Sequence, residues 1–169
     1  ILVAEPFVTL IFSEGYLGAV PVIQVFGVYA LLVAVSILTD NSLDYLGRAR
    51  SRAIAKGITA ILNVILNVIL IPEIGVVGAA ISTVVTFSIY VLFNLYIIST
   101  ELNIRSLWII KRVGVVLLIA LAMSIGIYPF VGYISNLPLL FLIIGEGATI
   151  WAILAVICGF ITVDQFLSS

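Results

Sequence analysis

Two asparagines inside one long apolar stretch are the first candidates for a polar function within a membrane. Asn63 and Asn67 stand four residues apart in AILNVILNVIL, so on a helix their amides share one face. Amides at this spacing can bind a hydrophilic ligand. They can instead bond a neighbouring helix and hold a bundle together, for about 0.6–2 kcal/mol each. Both interpretations stay open, and both asparagines are candidate substrate-binding residues.

A second candidate group consists of charged residues with the same spacing. Asp40, Asp44 and Arg48 follow one another at intervals of four, and an acid before a base is the favourable order for an ion pair on a helix. Counted from Val20, Asp40 lies about 30 Å along its helix, at the boundary of the hydrocarbon layer. The three residues are either a solvated helix end or the mouth of a cavity, where Arg48 and its basic neighbours would contact a phosphate-bearing substrate.

An acidic residue deep in the membrane is typical of a cation-coupled carrier, and the candidate is Glu146, between two glycines. It lies about 12 Å from the start of its apolar stretch at Pro138 and about 27 Å from Asp164 beyond the other end. Because the second end is the more clearly polar, we expect Glu146 at the membrane interface.

Few side chains are available for covalent or metal-dependent chemistry. The chain has no histidine and one cysteine, Cys158. This excludes Ser/His/Asp and Cys/His triads and an intrachain disulfide, and it almost excludes a His/Cys zinc site. We therefore expect no enzyme, with no catalytic residue, cofactor or metal. Seven basic and eight acidic residues give a net charge of −1, which excludes a basic nucleic-acid-binding surface.

The composition indicates a protein whose solvent is a lipid bilayer. Its 169 residues are 64% hydrophobic and 9% charged, with a mean hydropathy of +1.40, whereas soluble domains are about 25% charged. Strict two-residue alternation is absent, which argues against an outer-membrane barrel. The sequence therefore predicts an all-α, polytopic transmembrane helical bundle.

Five apolar stretches reach the length of about 20 residues that a helix needs to cross a bilayer. A partial span precedes them. Because the chain begins with Ile1 inside that apolar stretch, we expect it to be the C-terminal transmembrane bundle of a longer chain whose N-terminal lobe is missing. The expected spans are residues 1–12 (partial), 19–43, 53–71, 75–99, 113–133 and 138–163.

The basic residues predict the orientation. All seven lie in or beside two links, the first between the spans that begin at residues 19 and 53 and the second between those that begin at residues 75 and 113. These links are two spans apart and therefore face the same compartment, which the positive-inside rule makes the cytoplasm. We expect a multi-pass protein of the cytoplasmic membrane with a cytoplasmic C-terminus. The basic residues are Arg48, Arg50, Arg52, Lys56, Arg105, Lys111 and Arg112.

The segment AILNVILNVILIPEIGVVGAAISTVV, residues 60–85, resembles the C-terminal half of polysaccharide-biosynthesis exporters. These are lipid-linked oligosaccharide flippases of the multidrug/oligosaccharidyl-lipid/polysaccharide (MOP) superfamily, which also contains MATE carriers. The stretch LIFSEGYLGAVPVIQVF looks like the family's apolar-Phe-Gly-x-x-Tyr-x-x-Ala turn, in which Tyr16 and Ala19 match and Ser13 replaces the usual glycine. In the longer segment the matching positions are Asn63, Asn67, Ile71-Pro72, Gly75, Gly78-Ala79-Ala80 and Ser82.

The resemblance implies two helical bundles around a cavity that opens alternately to each side, with this chain supplying much of the second. It implies translocation of a polyprenyl-linked saccharide across the cytoplasmic membrane, with membrane lipid as the other partner. In that hypothesis Asn63 and Asn67 accept the sugar, and the basic residues near Arg48 receive the pyrophosphate. The alternatives are a cation-coupled multidrug antiporter of the MATE type and a non-transporting membrane scaffold subunit.

Overall fold

The computed structural model describes residues 1–102 and 106–157. Within these ranges five segments are long and apolar enough to cross a membrane, and the prediction of an all-α polytopic bundle is confirmed. Arg105, Cys158 and the tail at residues 164–169 lie outside the described residues, so the side on which the tail lies stays a prediction. The regular elements are α1 (Ala4–Phe12), a 3-10 helix (Glu14–Ala19), α2 (Val20–Tyr45), α3 (Ala49–Ile74), α4 (Val76–Glu101), α5 (Ser106–Val131) and α6 (Leu137–Ile157).

Two glycines separate α2, α3 and α4. Gly47 has φ +69° and Gly75 has φ +62°, a conformation that glycine adopts without steric cost. The amide of Gly75 donates to the carbonyl oxygen of Ile71 (2.8 Å), which closes α3 just before α4 begins. α3 runs through Pro72 to Ile74, beyond the span end expected at residue 71, because a proline in the last turn removes one amide donor without ending the helix.

The helices α2, α3 and α4 form one compact unit, with α4 in the centre. α4 packs along both of the other helices, which contact each other little. The core contains Tyr90 and Val91 of α4 and Ala55 of α3, with Leu32 of α2 packed against it. The face that α4 turns toward α2 and α3 is therefore the interior of this unit.

The α3–α4 hairpin closes tightly at Gly78. A Cβ on Gly78 would lie 2.5 Å from the carbonyl oxygen and 2.7 Å from the carbonyl carbon of Leu70. The obstacle is backbone, so a larger residue could be accommodated only by moving a helix. The small residues that open α4 thus permit the close approach that small-xxx-small spacing allows.

The helices α1, α5 and α6 belong to the second compact unit. Val8 of α1 and Leu140 of α6 are completely buried, and the two helices contact each other. A Cβ on Gly147 of α6 would lie 2.6 Å from Cδ1 of Ile127 on α5. α6 therefore packs against both partners within this unit.

Ser13 stands where the turn of the resembling family has glycine. Its backbone has φ +86° and ψ +166°, a region that is populated almost only by glycine. The chain therefore has serine at a position whose backbone conformation favours glycine, the residue that the family has there.

Replacing Gly78 by alanine is expected to lower the free energy of unfolding by about 1–3 kcal/mol, because the added methyl displaces the α3 backbone. The matched control is Gly57→Ala on α3, where a Cβ meets nothing within 4 Å and helix propensity improves. Unfolding of both variants, purified in detergent micelles, measures the difference. Equal stability of the two variants would contradict the close approach.

Candidate functional site

Four buried polar side chains form a row along α4. Ser82, Thr86, Tyr90 and Asn94 recur every four residues and are 0%, 4%, 1% and 0% exposed. The row covers about 18 Å of helix, more than half of a hydrocarbon core of about 30 Å. Of these four residues the sequence analysis names only Ser82, as a position that matches the resembling family. The constant spacing of the four polar residues is the signal that could have identified the rest.

The asparagines of α3 bond to the first half of this row. Asn63 Nδ2 donates to Oγ1 of Thr86 (3.1 Å), and Asn67 Nδ2 donates to Oδ1 of Asn63 (3.0 Å). The hydroxyl of Ser82 donates to Oδ1 of Asn67. The bonds to Thr86 and Ser82 are the interhelical bonds that one interpretation of the two amides predicts, whereas the bond between Asn67 and Asn63 lies within α3. Binding of a ligand by the same amides stays a prediction.

Asn63 also lines a groove between α3 and α4 with a volume of about 370 Å³, within the range of small-molecule sites. Nζ of Lys56 lies 5.8 Å from the centroid of the Tyr90 ring, a cation–π distance. The groove therefore has a cation and an aromatic ring at one end, and most of its exposed lining is apolar. The polar residues among those that line it are Lys56, Thr59, Asn63, Thr83, Thr86 and Tyr90.

Asp40 of α2 bonds to the other half of the row. Its Oδ1 accepts hydrogen bonds from the Tyr90 hydroxyl (2.5 Å) and from Asn94 Nδ2 (2.9 Å). Its Oδ2 lies 3.8 Å from Nη1 of Arg52 on α3, and the side chain is 18% exposed. Asp40 is thus held by side chains of α3 and α4 and is mostly buried, whereas Asp44 and Arg48 are exposed. The choice between a solvated helix end and the mouth of a cavity stays a prediction.

Arg48 does not continue the helical stripe predicted with Asp40 and Asp44. α2 ends at Tyr45, and the positive φ of Gly47 turns the chain before Arg48 is reached. The expected ion pair between Asp44 and Arg48 on one helix is therefore wrong, because the two residues do not share a helix.

Two other ion pairs form at this end of the unit. Nη2 of Arg52 lies 3.0 Å from Oδ1 of Asp44, and Arg48 pairs with Glu101. Since Glu101 is the last residue of α4, the second pair places that end of α4 beside the α2–α3 link. The side of the membrane on which the two basic links lie stays a prediction. The pairs are too exposed to contribute more than about 1 kcal/mol each.

Glu146 lies in α6 with an exposed side chain. The start of α6 is fixed by Asn136, whose Oδ1 accepts the amide of Leu139 (3.0 Å). From that start Glu146 lies about 14 Å along the helix. The other end of the apolar stretch lies outside the described residues, so the interfacial position expected for this carboxylate stays a prediction.

The chemistry of the α2–α4 unit is recognition through hydrogen bonds and charge. Among residues 1–102 and 106–157, no group of three or more His, Cys, Asp or Glu side chains is placed to hold a metal ion. Oδ1 of Asn94 is buried and has no hydrogen-bond partner in the same ranges. A hydrophilic ligand would contact the groove rather than this enclosed end of the row.

The fold and the polar row define a multi-pass helical membrane protein, and part of the chain is similar to two curated proteins. An uncharacterized membrane protein of Methanocaldococcus jannaschii is 31% identical over 96 residues, which are 57% of this chain and 19% of that protein. A probable low-salt glycan biosynthesis flippase of Haloferax volcanii, Agl15, is 28% identical over 102 residues, which are 60% of this chain and 22% of the flippase.

The matched segment spans about a fifth of the length of these relatives. No family model matches the chain, and no solved structure gives a significant match. The comparisons therefore support a membrane protein related to a named flippase, whereas membership of the MOP superfamily stays a prediction.

Removing the Tyr90 hydroxyl tests the bond between α2 and α4. Tyr90→Phe is expected to lower the free energy of unfolding by about 0.5–2 kcal/mol, because Asp40 loses a donor inside the bundle. Tyr96→Phe is the control, since Tyr96 lies on the same helix and is 67% exposed. Thermal unfolding in detergent compares the two, and equal melting temperatures would show that the bond contributes nothing.

Proposed function

We propose that this chain is part of a flippase that moves a lipid-linked oligosaccharide or polysaccharide precursor across the cytoplasmic membrane by alternating access. The observation that carries the proposal is the hydrogen-bonded polar row of α4 with its partners on α2 and α3. A saccharide that crosses a bilayer needs hydrogen-bonding partners at membrane depth, since unpaired polar groups there are costly. The similarity to Agl15, named as a probable glycan biosynthesis flippase, supports the same class.

In this proposal the sugar hydroxyls exchange with the bond between Asn63 and Thr86, which both line the groove. Asn67 lies one turn further along α3 and extends the same face. Asp40 and Asp44, linked by Arg52, form the cytoplasmic mouth together with Arg48. An N-terminal lobe would complete the cavity, and no covalent step is required.

Replacing Asn63 by leucine is expected to reduce glycan export about two- to tenfold, the effect of losing one hydrogen bond. Gln24→Leu is the matched control, because Gln24 is an exposed amide on α2 outside the polar row. Both variants are expressed at equal levels in cells that lack the chromosomal gene, and surface glycan and accumulated lipid-linked precursor are measured. Normal surface glycan in a well-expressed Asn63→Leu strain would contradict the proposed role of this amide.

A cation-coupled multidrug antiporter is the second candidate, and the observation that favours it is Glu146, an acid within the apolar helix α6. Such a carrier needs an acid in the membrane that binds a proton or a metal cation. The two candidates differ in their cargo and in their dependence on an ion gradient.

Under the flippase proposal, vesicles containing the protein are expected to show no dye efflux driven by a proton or sodium gradient. Gradient-driven efflux that Glu146→Gln reduces at least about tenfold, and that Glu73→Gln preserves, would establish the antiporter instead. Glu73 is an exposed acid in the last turn of α3 and therefore a suitable control. A scaffold subunit predicts neither dye efflux nor glycan export.

A further inference from the structure

We propose that the groove between α3 and α4 holds one acyl chain of an anionic phospholipid of the bilayer, with the lipid headgroup beside Lys56. This lipid is a resident of the membrane and not the transported molecule, so the assignment does not rest on the flippase function. A saccharide that reaches Asn63 during transport would displace the chain. Three properties of the groove support the assignment: polar groups that already have partners, an apolar lining and a cation at one end.

The polar side chains deeper in the groove have hydrogen-bond partners within α3 and α4. The hydroxyls of Thr59, Thr83 and Thr86 donate to carbonyl oxygens of their own helices at 2.8–2.9 Å. Asn63 donates to Thr86 and accepts from Asn67. An occupant therefore need not supply hydrogen bonds, and an apolar chain leaves none of these groups without a partner.

The exposed lining of the groove suits hydrocarbon. Most of it is apolar, and the apolar residues that line it are Ala60 and Val64 of α3 and Phe87 of α4. Atoms beside an unfilled groove lose dispersion contacts, so a flexible chain that follows the groove is favoured. The volume of about 370 Å³ admits a segment of one chain and not a whole phospholipid, since sites for drug-sized molecules already take about 300–1,000 Å³.

The cation at the end of the groove selects the headgroup. Arg48 and Arg52 pair with acids, whereas Lys56 forms no ion pair with a carboxylate of the described residues. Its ammonium lies over the Tyr90 ring, an attraction that holds the charge at the groove without neutralising it. Basic pockets between membrane helices bind anionic lipid headgroups. The complementary lipid is therefore one with a net negative charge.

The order of groups along α3 matches the order of groups in a phospholipid. If residue 53 marks the edge of the hydrocarbon layer, the Cα of Lys56 lies about 4.5 Å inside it, and a lysine at that depth extends its charge back to the interface. Ala60 and Val64 lie about 6 and 12 Å further along the helix. A headgroup at the interface and a chain that runs inward meet the cation first and the apolar lining after it.

Native mass spectrometry of the purified protein tests the assignment with three probes: dioleoylphosphatidylglycerol, dioleoylphosphatidylcholine and glycerol phosphate, which has no chains. Phosphatidylglycerol is expected to bind about tenfold more tightly than phosphatidylcholine, because only the former has a net charge for Lys56 to attract. Glycerol phosphate is expected to bind at least about a hundredfold more weakly than phosphatidylglycerol, since it has no chain to fill the groove. Lys56→Gln should remove the preference between the two lipids, whereas Lys56→Arg should largely keep it.

Arg50→Gln is the matched control for the charge, because it removes one exposed positive charge from the same end of α3 outside the groove. It is expected to keep the affinity for phosphatidylglycerol within about twofold.

The chain site has its own pair of variants, which also serves where Lys56→Gln proves unstable. Ala60→Trp fills the groove and should weaken binding of both lipids about tenfold. Ile61→Trp is its control, since Ile61 is 65% exposed and is not among the residues that line the groove.

Equal affinity of the wild-type protein for the two lipids would overturn the assignment, and so would unchanged binding in Lys56→Gln or Ala60→Trp. An equal loss in Arg50→Gln would indicate diffuse attraction to the basic end of α3, and tight binding of glycerol phosphate would indicate a site for free anions; each result contradicts a lipid site. Undecaprenyl phosphate that displaces phosphatidylglycerol at equal concentration would make the groove a site for the carried lipid instead. The assay needs no transported substrate, so the export assay decides the flippase function separately.

Discussion

The hydrogen bonds along α4 are the interaction on which the rest of the α2–α4 unit depends. In hydrocarbon the polar side chains of Ser82, Thr86, Tyr90 and Asn94 have no water to bond, so they need partners within the protein. The hydroxyls of Ser82 and Thr86 lie within hydrogen-bond distance of carbonyl oxygens of α4 itself, and the neighbouring helices supply further partners. Asn63 and Asn67 of α3 supply them at one end, and Asp40 of α2 supplies them at the other. These pairings set the register of both helices against α4, since a shift by one residue turns the amide or carboxylate away by about 100°.

Steric contact and hydrogen bonding act along the same row. Gly78 lies four residues before Ser82 and lets α4 approach the α3 backbone at Leu70. The contact between Ser82 and Asn67 follows from that approach. The bond between Asn63 and Thr86 is the next contact between α3 and α4, one turn further into the membrane. The small residues of the resembling motif thus determine how closely the polar groups of α3 and α4 meet.

Local sequence patterns were enough to predict the helices and the helical face that Asn63 and Asn67 share. The length of an apolar stretch and a four-residue spacing are short-range properties of the sequence. The partners of Asp40 could not be predicted, since Tyr90 is 50 residues away and nothing local indicates which helices meet. Arg48 was misplaced for a different reason. The turn at Gly47 was visible as a glycine, but its positive φ, and with it the end of α2, became evident only in the fold.

The distribution of charge separates the two functional candidates within this unit. Asp40 accepts two hydrogen bonds and faces Arg52, so the protein itself compensates its negative charge and a transported cation would have to displace those partners. Asp44 and Glu101 likewise face arginines, whereas Glu73 lies exposed in the last turn of α3, away from the polar row. A cation-coupled carrier would therefore have to use an acid outside the polar row, and Glu146 in the other unit is the candidate.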